Sequence, residues 1–453
     1  MIEPDRRPVA QVARRLGCTE GQVFTMLIGL CVALLLAIPG IPAVLRDRPA
    51  REGPAVALRP FAGSAAASPA LGGPPTASGS EPASGPSRWG GTDAAAPLVS
   101  SPRHLASPPS GAATPTPAPG TMGVFARVGQ PGAPGGLAVA TDGTVFVTTD
   151  NGTARGGTGP SRAFSYDVDG SRIADRAILG QSDDRVGGLT GAAVHPASGR
   201  LAVLDPEGAR IVSIDMRADA QSVLAKIPDL PPCLVSLGAC QHGFEDRKPH
   251  PVSAVYDQHG NLFFTDPAQD TIWRLRAGAS APEVWYQSVN FSAGDGPFGL
   301  AIHGASVEFT VGTSNDLSAL GAGALYRLTI NPDGSAGGLT LRHAFEQGDR
   351  PGALAVGLTG TAYVVLRDSG AIVTLSPDGS QVARLDPPGG GPIPLDAPSA
   401  VALVPGALLV ANGRTSDDPD RWAVLTMAVD DGPTMTPGAN DDRLRTRQHG
   451  KVA

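Results

Sequence analysis

The stretch PVSAVYDQHGNLFFTDPAQDTIWRL, Pro251–Leu275, decides the fold. It holds two apolar runs separated by a polar turn with the pair His259-Gly260, and a third run, TIWRL, follows a second turn. Short runs rich in β-branched and aromatic residues, bounded by turn residues, are typical of antiparallel strands joined by hairpins. The stretch therefore predicts three consecutive strands of one sheet.

The same phrase recurs six times between residues 122 and 429. The copies are Pro134–Asp150, Leu189–Asp205, Pro251–Asp266, Pro297–Gly312, Pro351–Leu366 and Pro398–Asn412. They begin 46 to 62 residues apart, and four short strands at about this period are the signature of a propeller blade. The repeats predict an all-β fold, a six-bladed β-propeller over residues 122–429.

The last blade needs a strand from elsewhere in the chain. No fourth strand follows Ala423–Val429, whereas a matching segment, GVFARVG at Gly123–Gly129, precedes the first copy. We expect this N-terminal strand to complete the last blade, which would remove the exposed sheet edges of an open ring. Residues 430–453 show no strand periodicity and are predicted to be a disordered tail.

The stretch Pro251–Leu275 resembles an NHL repeat and also a blade of the gluconolactonase/regucalcin-like (SGL) lactonases. The FTDP at Phe264–Pro267 is common in the second group. The resemblance covers residues 122–429 and implies the six-bladed architecture. As a function it implies metal-dependent hydrolysis of lactones or esters, although one fold hosts many activities.

In these lactonases a divalent metal, usually calcium, is held in the central channel by a Glu, an Asn and an Asp, in phrases such as GEGP, PNGLA and PDGLA. The matching positions here follow the proline, or its substitute, that opens each copy. These channel positions are Gly135, Thr190, Val252, Phe298, Gly352 and Ser399. None is a carboxylate or Asn, and calcium takes roughly six to eight oxygen ligands. No cofactor is therefore predicted, and calcium is expected only under the lactonase alternative.

Polar loops offer a different kind of site. Loops between second and third strands share one face of a propeller with the connections between blades, and loops on a rigid scaffold often bind ligands. The candidate binding residues on this face are His242, Glu245, Asp246, His250, Asn315, Asp316, Asp417 and Asp418. Among the Asp residues that end second strands, Asp266 is the candidate metal ligand, and capping of the next turn is the alternative.

Cys233 and Cys240 lie in the insertion Asp229–Lys248, with six residues between them. An isolated close pair in a polar loop predicts a disulfide and therefore an oxidising compartment. A metal pair is the alternative, but the other two cysteines, Cys18 and Cys31, lie in the N-terminal head and the apolar segment, so no second pair completes such a site.

The N-terminal third of the chain predicts a membrane anchor. Residues 23–45 carry no charge and are long enough for one transmembrane helix, with a cleaved signal peptide as the alternative. Residues 1–22 are expected to be a cytoplasmic stub. Residues 46–121 are a disordered linker, because 57 of these 76 residues are Pro, Ala, Ser, Gly or Thr. The disulfide then places the propeller outside the cytoplasm, on a single-pass protein of the cell membrane.

Two functions are compatible with these features. The net charge of −7 excludes nucleic-acid binding driven by bulk electrostatics, and no familiar hydrolase or nucleotide-binding motif is present. We expect a membrane-tethered binding, sensing or scaffold module at the bacterial cell envelope, with an envelope protein or glycan as its partner. The alternative is a metal-dependent lactonase or ester hydrolase of the gluconolactonase type.

Overall fold

The computed structural model describes residues 122–233, 240–243, 245–386 and 392–434. Within these ranges the chain forms six four-stranded antiparallel sheets and one two-stranded pair. The predicted stub, membrane span and linker, residues 1–121, lie outside the described residues. No helix within the described part of the chain has the length and apolar character needed to span a bilayer.

The strands follow one another blade by blade. Blade 1 contains β2 (Ala133–Val139), β3 (Val145–Asp150), β4 (Arg162–Tyr166) and β5 (Arg172–Ala177). Blade 2 contains β6 (Ala192–Val194), β7 (Leu201–Asp205), β8 (Arg210–Asp215) and β9 (Ala220–Lys226). Blade 3 contains β12 (Ala254–Tyr256), β13 (Leu262–Asp266), β14 (Thr271–Leu275) and β15 (Glu283–Gln287). The two-stranded pair between blades 2 and 3 is β10 (Pro232–Cys233) with β11 (Gln241–His242).

The second half of the ring has the same plan. Blade 4 contains β16 (Pro297–His303), β17 (Ser306–Val311), β18 (Ala324–Ile330) and β19 (Ala336–Ala344). Blade 5 contains β20 (Pro351–Val356), β21 (Ala362–Leu366), β22 (Ile372–Leu375) and β23 (Gln381–Leu385). Blade 6 contains β24 (Ala400–Val404), β25 (Ala407–Asn412), β26 (Ala423–Ala428) and β1 (Met122–Arg127). Short 3-10 turns occur at Thr153–Arg155 and Pro419–Arg421.

The N-terminal strand closes the ring. Strand β1 pairs antiparallel with β26, with Met122 opposite Met427 and Arg127 opposite Ala423. The prediction that the first strand completes the last blade is therefore confirmed, together with the six-bladed all-β architecture. The earliest strand and the latest strand of the fold thus share one sheet.

The hydrophobic core lies between neighbouring blades. One cluster joins Phe263 and Trp285 of blade 3 to Phe309 and Tyr326 of blade 4, all of them buried. Phe263 and Trp285 meet edge to face with ring centres 4.8 Å apart, while Phe309 stacks on Tyr326 at 5.8 Å. Such aromatic pairs contribute about 0.5–1.5 kcal/mol beyond the burial of their area. Each blade is therefore stabilised by the next one.

Glycines on the inner strands let adjacent blades approach closely. A Cβ added to Gly136 would lie 2.1 Å from the carbonyl oxygen of Thr190, and one on Gly299 would lie 2.2 Å from that of Gly352. Both distances are far below van der Waals contact, so any side chain there would push the blades apart. The small residues of the repeated phrase thus set the width of the channel.

Hydroxyl groups join consecutive blades around this channel. The donors and their carbonyl acceptors are Thr148 to Thr190, Thr190 to Pro251, Thr265 to Phe298, Thr310 to Gly352 and Ser399 to Pro134. The two hydroxyl residues among the channel positions therefore stabilise the ring through these bonds. Each buried bond of this type contributes roughly 0.5–1.5 kcal/mol to stability.

The start of the predicted tail is described as far as residue 434. The side chain of Asp431 accepts a hydrogen bond from the Thr359 hydroxyl at 2.7 Å, and Pro433 forms a bridge with Gly357. Thr434 donates to the carbonyl oxygen of Ile302. Residues 430–434 thus run from blade 6 along the β20–β21 turn of blade 5.

Candidate functional site

The inner strands surround a cavity of about 320 Å³ in the central channel. It is lined by all six channel positions expected from the repeats: Gly135, Thr190, Val252, Phe298, Gly352 and Ser399. The expected register of the six copies is therefore observed. The walls at this level are mostly backbone and small side chains.

Three basic side chains line the cavity where the loops enter it. They are His250, in the connection to blade 3, Arg367, directly after β21, and Arg414, shortly after β25. No Asp or Glu is found among the described residues that line the cavity. We call this part of the cavity, with His250, Arg367 and Arg414, the channel mouth. The channel mouth thus presents guanidinium and imidazole nitrogens in place of carboxylate oxygens.

Arg367 is held on two sides. Its guanidinium lies over the Phe298 ring, 3.6 Å from the ring centre, and Nη2 donates to Asp295 Oδ1 at 2.8 Å. A Cβ on Gly352 would lie 2.5 Å from the Arg367 side chain, so the glycine leaves the space that the arginine fills. The Nε atom is buried without a hydrogen-bond partner among the described residues. Burial lowers the pKa of Arg367, although Asp295 opposes this.

Asp295 accepts hydrogen bonds from two arginines. The same Oδ1 accepts from Arg350 at 2.7 Å and from Arg367 at 2.8 Å, while Oδ2 accepts from the Thr313 hydroxyl at 2.6 Å. Burial would raise the pKa of Asp295, but these hydrogen bonds outweigh it and lower the pKa. One carboxylate therefore faces two guanidinium groups.

Arg414 reaches the channel from blade 6. Its Nη1 lies 3.5 Å from the carbonyl oxygen of Gly135, and its Nη2 lies 3.7 Å from Asp150 Oδ2. The other oxygen of Asp150 accepts from the backbone of Gly188 at 2.6 Å and of Gly152 at 3.3 Å. Asp150 thus fixes two loops and also lies beside the arginine.

His250 completes the channel mouth. It is accessible to solvent, yet the protein around it is close enough that burial lowers its pKa below the ordinary 6.5. Arg414 lowers the pKa further, whereas Asp266, Glu207 and Asp150 act in the opposite direction. Burial therefore favours the neutral form of this imidazole.

Asp266, the candidate metal ligand, is fully buried at the end of β13. Its Oδ1 accepts from the backbone of His250 at 3.1 Å and of Gln269 at 3.2 Å, and Oδ2 accepts from the Gln269 side chain at 2.9 Å. Burial raises its pKa. Within the described ranges, no group of three His, Cys, Asp or Glu residues is placed to hold a metal ion.

The disulfide predicted between Cys233 and Cys240 is formed, with Cα atoms 5.3 Å apart. It links the ends of the β10–β11 pair, and the Gln287 side chain donates to the Cys240 carbonyl oxygen at 2.8 Å. His242 follows in β11. Its Nδ1 is buried without a partner among the described residues, and burial together with nearby Arg247 lowers its pKa.

Arg247 anchors this insertion on a second buried carboxylate. Its Nη2 donates to Asp270 Oδ2 at 3.1 Å, and the backbone of Gly294 donates to Oδ1 at 2.9 Å. Burial raises the pKa of Asp270 to about 7, and the hydrogen bond from Gly294 and the charge of Arg247 oppose this. Asp270 also has a φ of 54°, a left-handed conformation that Asp and Asn tolerate better than most residues.

The remaining candidates lie on the loops away from the channel mouth. Glu245 and Asp246 are exposed, and Asp246 accepts from the Gln241 side chain at 3.0 Å. Asn315 and Asp316 lie in the β17–β18 loop, while Asp417 and Asp418 lie in the β25–β26 loop. Of the eight residues proposed from the sequence, His250 is the one that lines the cavity.

Sequence reasoning missed Arg367 and Arg414. A usable signal exists, because both follow the last residue of a second strand by one or two positions, next to Leu366 and Asn412. At this point a propeller strand leaves the sheet beside the channel. A basic residue at this position is therefore a candidate for lining the channel, just as a carboxylate is.

Known proteins give further context. No protein-family model matches the chain. Virginiamycin B lyase from Nocardia farcinica is 30% identical over an alignment of 166 residues, and the match covers 32% of this chain and 58% of that protein. The match therefore spans less than two thirds of the relative's own length.

Similar solved structures include two enzymes and a binding protein. Virginiamycin B lyase from Staphylococcus aureus is 15% identical with a TM-score of 0.42, covering 64% of this chain and 80% of that chain. A gluconolactonase from Xanthomonas campestris is 14% identical with a TM-score of 0.44, covering 66% and 86%. Regucalcin, a calcium-binding protein from Agrobacterium tumefaciens, is 12% identical with a TM-score of 0.46, covering 68% and 96%. The chain is thus a six-bladed β-propeller whose structural neighbours are virginiamycin B lyase, gluconolactonase and regucalcin.

Proposed function

We propose that this protein is a ligand-binding propeller of the bacterial cell envelope and that the channel mouth is its binding site. The observation that carries the proposal is the cavity of about 320 Å³ with three basic side chains at its entrance. Ligand sites are commonly concave, mostly apolar and furnished with a few convergent polar groups. The channel mouth has this form.

The donor set argues against metal-dependent hydrolysis in the channel. Calcium and other hard cations require carboxylate and carbonyl oxygens, whereas the channel mouth presents Arg367 and Arg414. The nearest carboxylates, Asp295 and Asp150, lie beside these arginines at 2.8 and 3.7 Å. A cation in the cavity would therefore meet guanidinium groups where the lactonases offer carboxylate oxygens.

The cellular setting follows from the parts of the sequence that flank the propeller. Residues 23–45 would anchor the protein in the membrane, and residues 46–121 would carry the propeller away from it. The disulfide between Cys233 and Cys240 supports an oxidising compartment outside the cytoplasm. The ligand would then be part of an envelope protein or glycan.

A channel-blocking variant tests the proposal. Thr415 lines the cavity and is exposed, so Thr415→Trp should obstruct the channel mouth without disturbing the core. Thr141 is equally exposed in the β2–β3 turn on the opposite face, and Thr141→Trp is the matched control. Full-length protein is applied to arrays of cell-wall glycans and peptides. We expect binding to a subset that Thr415→Trp loses and Thr141→Trp retains, and retention in both variants would contradict the proposal.

An enzyme that cleaves lactones is the second candidate. It is favoured by the 30% identical match to a lyase and by the position of His250 in the cavity lining, where an imidazole in its neutral form could act as a general base. Cleavage of a lactone substrate that is lost in His250→Gln but retained in His259→Gln would favour this candidate. His259 lies in the β12–β13 turn, away from the channel residues.

A further inference from the structure

We infer that the channel mouth recognises a free carboxylate on its ligand through Arg367 and Arg414. This inference rests on the proposed binding function and specifies the chemical class of the ligand. Recognition of a carboxylate is more specific than attraction of any anion, because the environment of each arginine restricts which ligands the site accepts.

The first step concerns the net charge near Arg367. Arg350 and Arg367 share a single oxygen of Asp295, at 2.7 and 2.8 Å. Asp368 also lies 3.9 Å from Arg350, so this corner of the channel holds two guanidinium groups and two carboxylates. Of these four groups it is Arg367 that lines the cavity, and no described lining residue is acidic.

The second step concerns Arg414, which enters from the neighbouring blade. Its distance of 3.7 Å to Asp150 is an ion-pair distance, longer than a hydrogen bond. Asp150 is also committed to the backbone amides of Gly188 and Gly152. Asp150 is therefore held in place by the loops, while Arg414 also lines the cavity.

The third step concerns preorganisation. Arg367 packs between the Phe298 ring and the space left by Gly352, so its guanidinium plane is held before any ligand arrives. Arginine presents a rigid planar fork that matches the geometry of a carboxylate. The buried Nε without a partner is destabilising.

The fourth step concerns size and charge of the ligand. A cavity of about 320 Å³ holds on the order of ten water molecules at ~30 Å³ each, which suits one sugar acid or the end of a peptide. Asp295 and Asp150 already offset part of the positive charge. A monoanionic carboxylate therefore matches the site better than a dianionic phosphate.

Matched acid and amide pairs test the inference on the full-length protein in detergent. The first pair is glucuronate with glucuronamide, and the second is N-acetyl-Ala-Ala with its C-terminal amide. Titration calorimetry measures each ligand, and inorganic phosphate is measured beside them. We expect at least one acid to bind and its amide to bind about tenfold or more weakly, since charged hydrogen bonds contribute ~1.5–3 kcal/mol. The pair that binds shows whether the carboxylate belongs to a sugar or to a peptide.

Arginine variants complete the test. Arg367→Gln and Arg414→Gln should each weaken binding of the acid by about tenfold or more. Arg217→Gln removes an arginine that is 91% exposed in the β8–β9 turn of the opposite face, and should leave binding unchanged. If Arg367→Gln does not fold, Arg414→Gln and the charge-retaining Arg367→Lys take its place, and thermal unfolding shows which variants are folded.

Several outcomes would overturn the inference. They are equal binding of acid and amide, unchanged acid binding in the arginine variants, tighter binding of phosphate than of either acid, and no binding of either acid. If acid binding instead persists in Thr415→Trp, the channel mouth is not the site and the proposed function itself fails. The two failures are therefore distinguishable.

Discussion

The guanidinium carbon of Arg367 lies 3.6 Å from the centre of the Phe298 ring. Phe298 belongs to the inner strand of blade 4, and Arg367 follows the second strand of blade 5, so the contact joins two blades. A cation over an aromatic face is stabilised by roughly 0.5–2 kcal/mol. The position at which the lactonase resemblance would have a metal-binding Asn therefore holds a phenylalanine, and a cation of the protein itself lies over its ring.

This arrangement predicts no chelator-sensitive lactonase activity. A metal ion at the channel would have to displace or approach Arg367, and the Glu and Asp partners of the lactonase site are missing. Phe298→Asn alone should not create activity for the same reason. Hydrolysis of glucono-lactone is followed with chelator and with added calcium, against heat-inactivated protein as the blank. Activity that stops with chelator and returns with calcium would show the prediction to be wrong.

Removal of residues 122–130 should unfold the propeller or make it aggregate. The deletion takes away strand β1, which exposes the edge of β26 to pairing with other chains. Thermal unfolding and gel filtration measure the result. A soluble deletion variant with an unchanged thermal transition would rule out this role of the strand.

Two neighbouring substitutions in β1 provide a finer comparison. Ala126 is 5% exposed and packs in the cluster between blades 6 and 1, whereas the adjacent Arg127 is exposed. We expect Ala126→Glu to lower the melting temperature strongly because it buries a charge. Arg127→Glu, as the control, should change it little.

Thr310→Val should destabilise the ring while keeping the shape of the side chain. The Thr310 hydroxyl accepts from the backbone of Gly299 at 2.8 Å and donates to the carbonyl oxygen of Gly352 at 2.6 Å. Loss of both bonds leaves buried polar groups unpaired, at about 1–3 kcal/mol each. Denaturant unfolding measures the change in the free energy of unfolding.

Two further variants control this experiment. Thr310→Ser keeps the hydroxyl and should restore most of the stability. Thr329→Val makes the same chemical change at an exposed position of the neighbouring strand and should have little effect. Equal effects of the two valine variants would show that the hydroxyl of Thr310 does not join the blades.

Asp270 should make the protein less stable as the pH rises from about 4 to about 7. Its pKa is 3.8 in the reference state and about 7 in the fold, so over this range the folded protein holds a proton that the unfolded chain releases. The free energy of unfolding then falls by up to about 1.4 kcal/mol per pH unit from this group and is constant above pH 7.

The variant Asp270→Asn should remove this contribution. Asn tolerates the left-handed backbone at this position, so the comparison isolates the charge. Melting temperatures are recorded from pH 4 to pH 8 for wild type, Asp270→Asn and the exposed control Asp417→Asn. A slope in Asp270→Asn equal to that of the wild type would contradict the raised pKa.

Cys233 and Cys240 should be oxidised in protein exported from a bacterial cell. The wild type is compared with a double Ser variant at these positions, so that Cys18 and Cys31 contribute equally to both. Without reductant the two proteins should bind the same amount of thiol label, and after reduction the wild type should bind two more. Extra label on the wild type before reduction would remove the argument for an extracytoplasmic propeller.

The same pair should contribute to stability. A disulfide that closes a loop of this size stabilises by about 2–3 kcal/mol on the chain-entropy model. Reduction should lower the melting temperature of the wild type and leave that of the double Ser variant unchanged. An equal fall in melting temperature of both proteins on reduction would show that the fall does not come from this disulfide.

The sequence by itself determined the architecture of the described propeller. Strand alternation, Gly-containing turns and the repeat of the phrase are local signals, and six copies with one missing strand are enough to predict a closed ring. The spacing within each copy also identified Gly135, Phe298 and the other positions that line the channel. The close Cys233–Cys240 pair predicted its own disulfide because only a short loop separates the two residues.

Only the tertiary structure decided the chemistry of the channel mouth. His250, Arg367 and Arg414 belong to three different blades, and no local pattern shows that their side chains converge. Their meeting depends on ring closure between β1 and β26, and on Gly352, whose missing Cβ makes room for Arg367. Convergence of charge is a property of the packed ring, since it arises from the distances between blades and not from the order of residues along any one of them.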